Sequence, residues 1–191
     1  MQSMQSLRYD LRNMRREIAG PQRVQLDQEI RKHLAKLVES LVVTSLAAYW
    51  PFDGEPDIMP LCAQLSDDGV DIALPRISSS GKLMEFQAWQ PGQILEDNRF
   101  GIGEPVNAAK KSVADFSLIL LPLVAYDPFG NRLGVGAGYY DRYLESARHS
   151  STPLRVGIAY SLQEVKLIEQ HDWDIPLHAV VNENGWFTFG Q

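Results

Sequence analysis

The chain has 191 residues, 45% apolar and 22% charged, a balance that gives one globular core. Its formal charge of −6 argues against general nucleic-acid binding, which favours a basic surface. Cys62 is the single cysteine, which excludes an internal disulfide and a thiolate metal cluster, and no apolar run approaches a signal core or a membrane span. The expectation is one domain over residues 1–191, a monomer in a reducing cytoplasm with no nucleic-acid or membrane partner.

Leu7, Leu11, Met14 and Ile18 recur at helical spacing and predict an amphipathic first helix, broken at Gly20-Pro21. Arg8, Arg12, Arg15 and Arg16 share one side of it, and from spacing alone that side reads as a solvated face. A second helix is expected from about Gln22 to Leu41. The apolar, β-branched run Val42–Trp50 predicts a strand ended by Pro51. Glu55-Pro56-Asp57 looks like a helix start, with Asp57 as N-cap. On that helix Ile58, Leu61, Cys62 and Leu65 share a face, so Cys62 reads as a buried structural thiol. Val70–Leu74 and Lys82–Trp89 are predicted strands around the Ser-rich loop Ile77–Gly81, and residues 90–116 read as irregular.

Leu118–Leu121 is a predicted buried strand stopped by Pro122. Further strands are expected at Arg155–Tyr160 and Ala179–Val181, with helices around Tyr139–Arg148 and Leu162–Gln170. Asn184-Gly185 predicts a turn into a last edge strand. Strands alternating with helices predict an α/β three-layer sandwich: a largely parallel open sheet with helices on both faces. Ligands of such sheets bind beyond the carboxyl ends of the strands. Phe52–Glu55 and Arg132–Gly138 each follow a predicted strand and fall on that rim.

The stretch Leu118–Leu144, LILLPLVAYDPFGNRLGVGAGYYDRYL, carries the most chemistry. After the strand come a polar turn, Asp127–Asn131, then Arg132 and glycines at alternate positions, Gly134, Gly136 and Gly138. The amphipathic run from Tyr139 follows. Glycines let backbone N–H groups turn toward an anion, a helix start adds a positive dipole end, and Arg132 adds a full charge. The stretch is neither a Walker A loop nor a full dinucleotide fingerprint. Spacing alone leaves two readings open, a phosphate cradle and a tight structural turn. Asp127 reads as a turn residue. His33, His149, His171 and His178 show no metal-ligand spacing, and no nucleophile elbow supports a Ser-His-Asp triad.

Taken whole, Pro122, Asp127, Gly130, Arg132-Leu133-Gly134, Gly136 and Gly138-Tyr139-Tyr140-Asp141 resemble the signature of the 5-formyltetrahydrofolate cyclo-ligase (methenyltetrahydrofolate synthetase) family. The resemblance extends through Tyr49–Glu55, Leu74-Pro75-Arg76, Met84-Glu85-Phe86, Gly103-Glu104-Pro105 and Trp173-Asp174-Ile175-Pro176. It implies ATP-dependent cyclisation of 5-formyltetrahydrofolate, in mono- or polyglutamylated form, to 5,10-methenyltetrahydrofolate, with ATP as co-substrate and Mg²⁺ as cofactor. The ATP site it implies is Arg8, Arg132, Leu133, Gly134, Val135, Gly136, Ala137, Gly138, Tyr139 and Tyr140. The folate site is Trp50, Glu55, Val135, Gly136, Gly138 and Tyr139, with Glu55 accepting from the polar edge of the pterin and Trp50, Tyr49 or Phe52 as flat walls. Arg132 and Tyr139 are the implied catalytic residues, and Asp141 with Asp174 the Mg²⁺ ligands. Two positions depart from the family pattern: Met4 stands at a lysine position, and Ala137 stands where lysine is frequent. They are the best support for a rival class, a nucleotide- or sugar-phosphate-binding regulatory module without ligase activity.

Overall fold

The computed structural model describes residues 3–78, 80–81 and 83–190; Ser79 of the Ser-rich loop and Lys82, expected to open a strand, lie outside them. The chain begins with helices α1 (Met4–Glu17) and α2 (Gly20–Ser40), then strand β1 (Ser45–Ala47) and helix α3 (Met59–Asp67). Strands β2 (Asp71–Ile77), β3 (Met84–Trp89), β4 (Leu95–Asp97), β5 (Gly103–Pro105), β6 (Lys110–Lys111), β7 (Leu118–Pro122), β8 (Ala125–Tyr126) and β9 (Arg132–Leu133) follow. Helix α4 (Tyr139–Leu144) and strands β10 (Leu154–Ile158), β11 (Ala179–Asn182) and β12 (Gly185–Thr188) complete it.

The main sheet has the order β12-β11-β10-β7-β1-β2-β3-β6. From β11 to β2 every neighbouring pair is parallel, and β12, β3 and β6 add on antiparallel. Buried on both faces, the inner strands are runs of Leu, Ile and Val rather than alternations. On one face α2 and α3 press Ile30, Leu34, Leu37 and Leu61 onto Leu46, Leu118, Leu120 and Val156. On the other, Leu144 of α4 joins Phe86, Phe116, Ile119, Leu121, Leu177 and Val180. A third cluster sits at the strand rim, where Leu11 of α1 meets Val124, Ala125, Leu133 and Ile168. The expected sandwich, with helices on both faces, is the observed architecture.

Several elements differ from the sequence reading. The strand expected over Val42–Trp50 pairs only over Ser45–Ala47; Val42 stands out in solvent, and the chain from Ala48 onward leaves the sheet for the rim. Asp57 lies just outside α3, where its Oδ1 accepts from the Met59 amide at 3.0 Å. Residues 90–116, read as irregular, contain the β4–β5 hairpin, the short edge strand β6 and a 3₁₀ turn at Val113–Asp115. The helix around Tyr139–Arg148 is α4 plus a 3₁₀ turn over Glu145–Ala147.

The helix expected over Leu162–Gln170 is a single 3₁₀ turn, Ser161–Gln163, followed by an irregular segment. Its backbone donors have tertiary partners instead of an i−4 carbonyl. The Val165 amide donates to the Tyr126 carbonyl at 2.8 Å, and the Ile168 amide donates to Asp127 Oδ2 at 2.9 Å. The side-chain amide of buried Gln163 adds bonds to the Leu123 and Val124 carbonyls, donating from Nε2 at 2.8 and 3.1 Å.

Asp127 is fully buried and binds both sides of the β8–β9 turn: Oδ1 accepts from the Phe129 and Asn131 amides, and Oδ2 accepts from Asn131 Nδ2 and from Ile168. A buried donor left without its acceptor costs about 1–3 kcal/mol. Asp127→Ala is therefore expected to lower the unfolding free energy by about 3 kcal/mol or more, read by urea denaturation; a loss under about 1 kcal/mol would show the turn to be self-supporting.

Candidate active site

Helix α1 lies across the carboxyl rim of the sheet, and the loop running off β1 fastens it there. Asp53, at φ 54°, turns its carboxylate back onto the helix. It accepts from Arg12 Nε at 2.7 Å, from Arg15 Nη2 at 3.2 Å, and from Arg16 Nε. Arg15 also donates to the Asp53 and Leu123 carbonyls, both at 3.0 Å. Gly54 packs so close that a Cβ there would stand 3.3 Å from the Arg15 carbonyl oxygen. Burial would raise the Asp53 carboxyl, but the three guanidiniums outweigh it and hold it below the ordinary carboxylate range. The arginine row read as a solvated face is thus a clasp. Arg15 is 1% exposed, and of the three only Arg16 is mainly in water.

Beneath this clasp lies a cavity of about 1400 Å³. Every residue that the sequence assigns to the ATP, folate and metal sites lines it: Arg8, Trp50, Glu55, the whole run Arg132–Asp141, and Asp174. Met4 lines it too, and so does Ala137, which is exposed.

Within it, Glu55 is almost buried. Its Oε2 accepts from the Phe52 amide at 3.1 Å, while Oε1 is 4.0 Å from Arg15 Nη2. Loss of water pushes this carboxyl up to about 7, with Arg15 pulling the other way. A group so poised accepts a hydrogen bond as an anion and donates one as an acid. Trp50 and Phe52 supply flat walls beside it; Tyr49 is core, its hydroxyl donating to the Pro56 carbonyl at 2.8 Å.

The glycine loop lines the same cavity. The β8–β9 pairing delivers Arg132, whose Nη2 donates to Asp141 Oδ1 at 2.6 Å. Among the described residues the buried Arg132 Nε has no hydrogen-bond partner. Arg8 Nε donates to the Gly134 carbonyl at 2.9 Å, so α1 closes over the loop. Gly136 and Gly138 have φ of 101° and 66°, and a Cβ on Gly138 would come within 2.9 Å of Arg142 Nη1. These two positions need glycine on backbone grounds. Helix α4 is six residues, less than two turns, so positive charge here comes from Arg8 and Arg132 more than from a helix dipole. Tyr139 donates its hydroxyl to the Gly81 carbonyl at 2.8 Å and accepts from Arg99 Nη2 at 3.4 Å. Tyr140 packs against Phe86, and burial raises its phenol well above the usual range.

Asp141 lies beside the turn that carries Asp174: the Ile175 amide donates to Asp141 Oδ1 at 3.3 Å. Asp174 Oδ2 accepts from the His171 amide at 2.9 Å, which closes the turn that carries it. Among the described residues no group of three or more His, Cys, Asp or Glu could hold a metal ion. Two carboxylates remain a sufficient protein share for Mg²⁺, which keeps waters and phosphate oxygens as its other ligands. The sequence reading missed the opposite wall, built by Asn98, Phe100, Ile102 and Glu104. Glu104 Oε1 accepts from the Ile77 amide at 2.9 Å and from Asn98 Nδ2 at 2.6 Å, which ties the β4–β5 hairpin to β2. The Gly103-Glu104-Pro105 match was the one sign of it within residues 90–116.

The fold and cavity define an α/β protein with one large cavity at the carboxyl rim of its sheet, lined by a buried carboxylate, aromatic side chains, an arginine-flanked glycine loop and two aspartates. The chain belongs to the 5-formyltetrahydrofolate cyclo-ligase family, whose pattern it matches over residues 1–183. A 5-formyltetrahydrofolate cyclo-ligase of Escherichia coli K12 is 35% identical over 179 residues, covering 90% of this chain and 95% of that relative. One from Haemophilus influenzae is 31% identical over 183 residues, covering 94% and 97%. The solved 5,10-methenyltetrahydrofolate synthetase of Aquifex aeolicus superposes with a TM-score of 0.84 at 30% identity, covering 98% of this chain and 93% of that one. That of Mycoplasma pneumoniae, at 23% identity, shares the fold with a TM-score of 0.78 over 95% and 99%.

Glu55 gives the site a pH signature. Its folded carboxyl titrates near 7 against an ordinary value of 4.5, so its contribution to stability is complete below about 4.5 and is lost as pH rises through about 7. Glu55→Gln cannot ionise. Its stability relative to the unaltered protein is therefore expected to improve by about 1–3 kcal/mol between pH 4.5 and 8. A pH-independent difference in denaturation midpoints would show that Glu55 ionises normally in the folded protein.

Proposed function

We propose that this chain converts 5-formyltetrahydrofolate to 5,10-methenyltetrahydrofolate with hydrolysis of ATP to ADP and phosphate, residues 1–191 acting as one domain. The observation that carries the reading is a single cavity lined by a buried carboxylate, aromatic side chains, an arginine-flanked glycine loop and two aspartates.

The chemistry accounts for both sets of residues. An N-formyl group is amide-like, so its carbon is a poor electrophile and its oxygen a poor leaving group. Attack of the formyl oxygen on the γ-phosphorus, with ADP leaving, corrects both faults. N10 then attacks the activated carbon and gives up its proton. The former formyl oxygen departs within phosphate, leaving the methenyl bridge. No protein nucleophile is needed; the work is alignment and charge stabilisation.

Glu55 holds the pterin edge and Trp50 a face of the ring, so the formyl group points toward the Gly134–Gly138 loop. Arg8 and Arg132 meet the phosphates, with the free Nε of Arg132 available as a donor. Tyr139, fixed between Gly81 and Arg99, lines the same cavity. Asp141 and Asp174 would hold Mg²⁺, which neutralises phosphate charge when bound.

The direct test is incubation with 5-formyltetrahydrofolate, ATP and Mg²⁺ while following the near-ultraviolet methenyl chromophore; a regulatory module would bind ligand and give no signal. Losing a charge-assisted hydrogen bond of roughly 1.5–3 kcal/mol that forms mainly in the transition state slows turnover about 10–100-fold. Arg132→Ala is expected to fall by that much or more, with folate binding retained. Arg132→Lys is expected to rescue only in part, because it lacks the planar fork. Normal turnover of Arg132→Ala, or failure by unfolding alone, would remove the phosphate assignment of this loop.

For the metal, Asp141→Asn and Asp174→Asn are each expected to raise the Mg²⁺ concentration needed for half-maximal rate, with Asp172→Asn as the control from the same turn. A shift for Asp172→Asn but not for Asp174→Asn would assign the second ligand to the wrong carboxylate.

A further inference from the structure

Helix α2 buries a carboxylate among apolar side chains. Asp27 is 5% exposed and shares its face with Ile30, Leu34, Leu37 and Val38. An ion in that position costs desolvation that an apolar residue of similar size would not. Both of its oxygens are occupied. Oδ1 accepts from the hydroxyl of Tyr160, just beyond the carboxyl end of β10, at 2.5 Å, and Oδ2 accepts from Arg23 Nε at 2.6 Å. Tyr160 is fully buried, and burial together with Asp27 raises its phenol, so it stays the donor. The Arg23 guanidinium lies 5.8 Å from the centre of the Tyr160 ring. Through Nη2 it reaches on to the main-chain carbonyl of Glu55.

We infer that Tyr160, Asp27 and Arg23 are positioning residues for folate binding: as a chain they fix the main chain at Glu55 and keep its carboxyl aimed into the cavity. The inference rests on the reading that Glu55 meets the pterin. The Glu55 amide donates to the Phe52 carbonyl at 3.0 Å, so with Arg23 on its carbonyl the residue is held on both sides. The next two carbonyls are taken as well, Pro56 by the Tyr49 hydroxyl and Asp57 by Arg31 Nη1, each at 2.8 Å. Arg23 is the donor that touches Glu55 itself, and it is braced in turn by Asp27 and Tyr160. Once it lets go, the peptide at 55–56 can turn and the carboxyl gains water. The groups facing that carboxyl are Arg12 and Arg15 of α1, Asp53 of its own loop, and the phenols of Tyr49 and Tyr140. All of them remain when the chain through α2 is cut, so a change at Glu55 then reports the loop that carries it.

The test follows the Glu55 carboxyl by NMR titration of the full chain, labelled at the glutamate carboxyl carbon, and then the kinetics of methenyl formation. Tyr160→Phe removes the hydroxyl and keeps the packing. Asp27→Asn keeps the shape and loses the charge. The double variant Arg23→Gln with Asp27→Asn removes one charge of each sign and leaves a neutral amide pair, so no buried charge is stranded. In each folded variant the Glu55 midpoint is expected to fall from about 7 toward the ordinary 4.5. The KM for 5-formyltetrahydrofolate is expected to rise, by about 10-fold in the double variant, with kcat and the KM for ATP within about twofold. An unmoved midpoint and folate KM would overturn the assignment, and a fall in melting temperature with both unmoved would make the chain merely structural. Equal rises in the two KM values would overturn it too, as a general distortion of the cavity. A fallen midpoint with an unmoved folate KM would overturn the role in folate binding. A fallen midpoint in the variants, with no methenyl product from the unaltered protein, would keep the positioning of Glu55 and remove the ligase reading. An unaltered protein whose Glu55 titrates near 4.5 would overturn the inference and leave the ligase reading standing.

Discussion

One carboxylate determines whether this molecule has a cavity. Asp53 sits where the chain leaves the central strand β1, and it gathers Arg12, Arg15 and Arg16 from α1. Without that attachment α1 would be an amphipathic helix holding the rim through Leu11 and a few neighbours, and Arg8 would have no fixed relation to Gly134. The pairing is largely shielded: Asp53 is 6% exposed in its side chain and Arg15 1%. Desolvation is therefore costly, and removing either partner would strand the other charge. Because the Asp53 carboxyl is held below its ordinary range, its stabilising share is present above that range and is lost only as pH falls through the folded value.

The same loop carries Glu55 two residues on, which links the clasp to recognition chemistry. Helix α2 braces it from the other side: Arg23 donates to the Glu55 carbonyl and, at 2.6 Å, to Asp27 Oδ2, and Asp27 Oδ1 accepts from the Tyr160 hydroxyl at 2.5 Å. Two helices therefore grip one short loop by arginine side chains. A backbone fixed this way can hold a half-ionised acid in a dry pocket, which a mobile loop would expose to water. The glycine loop follows the same economy. Arg132 is kept straight by Asp141, and Asp141 by the Ile175 amide, so charge, glycine loop and acidic turn form one connected unit.

Much of the architecture was legible along the chain because it rests on local pattern. The continuous apolar runs at Leu118–Leu121 and Ala179–Val181 are buried strands between neighbours, and of the helical spacing in α1 Leu7 and Leu11 face the protein while Met14 is exposed and Ile18 caps the helix. Glycines at Gly136 and Gly138 signal positive φ in any context. The family pattern located the residues that line the cavity, including Asp141 and Asp174, some thirty residues apart.

What lay beyond the sequence depends on partners brought from far away. Nothing in the spacing of Arg12, Arg15 and Arg16 tells a solvated row from a clasp, since the deciding residue, Asp53, lies on another element. Leu162–Gln170 has a helical pattern, yet Tyr126 and Asp127 offer its amides better-placed acceptors than its own carbonyls would. The short strands within residues 90–116 depend on the edge that β3 presents to β6 and on Glu104 reaching the Ile77 amide. Local composition determined the sheet and the glycine loop. Which arginines became structural and how far Glu55 was drained of water were decided in three dimensions, because burial and pairing at each depend on atoms distant in the chain.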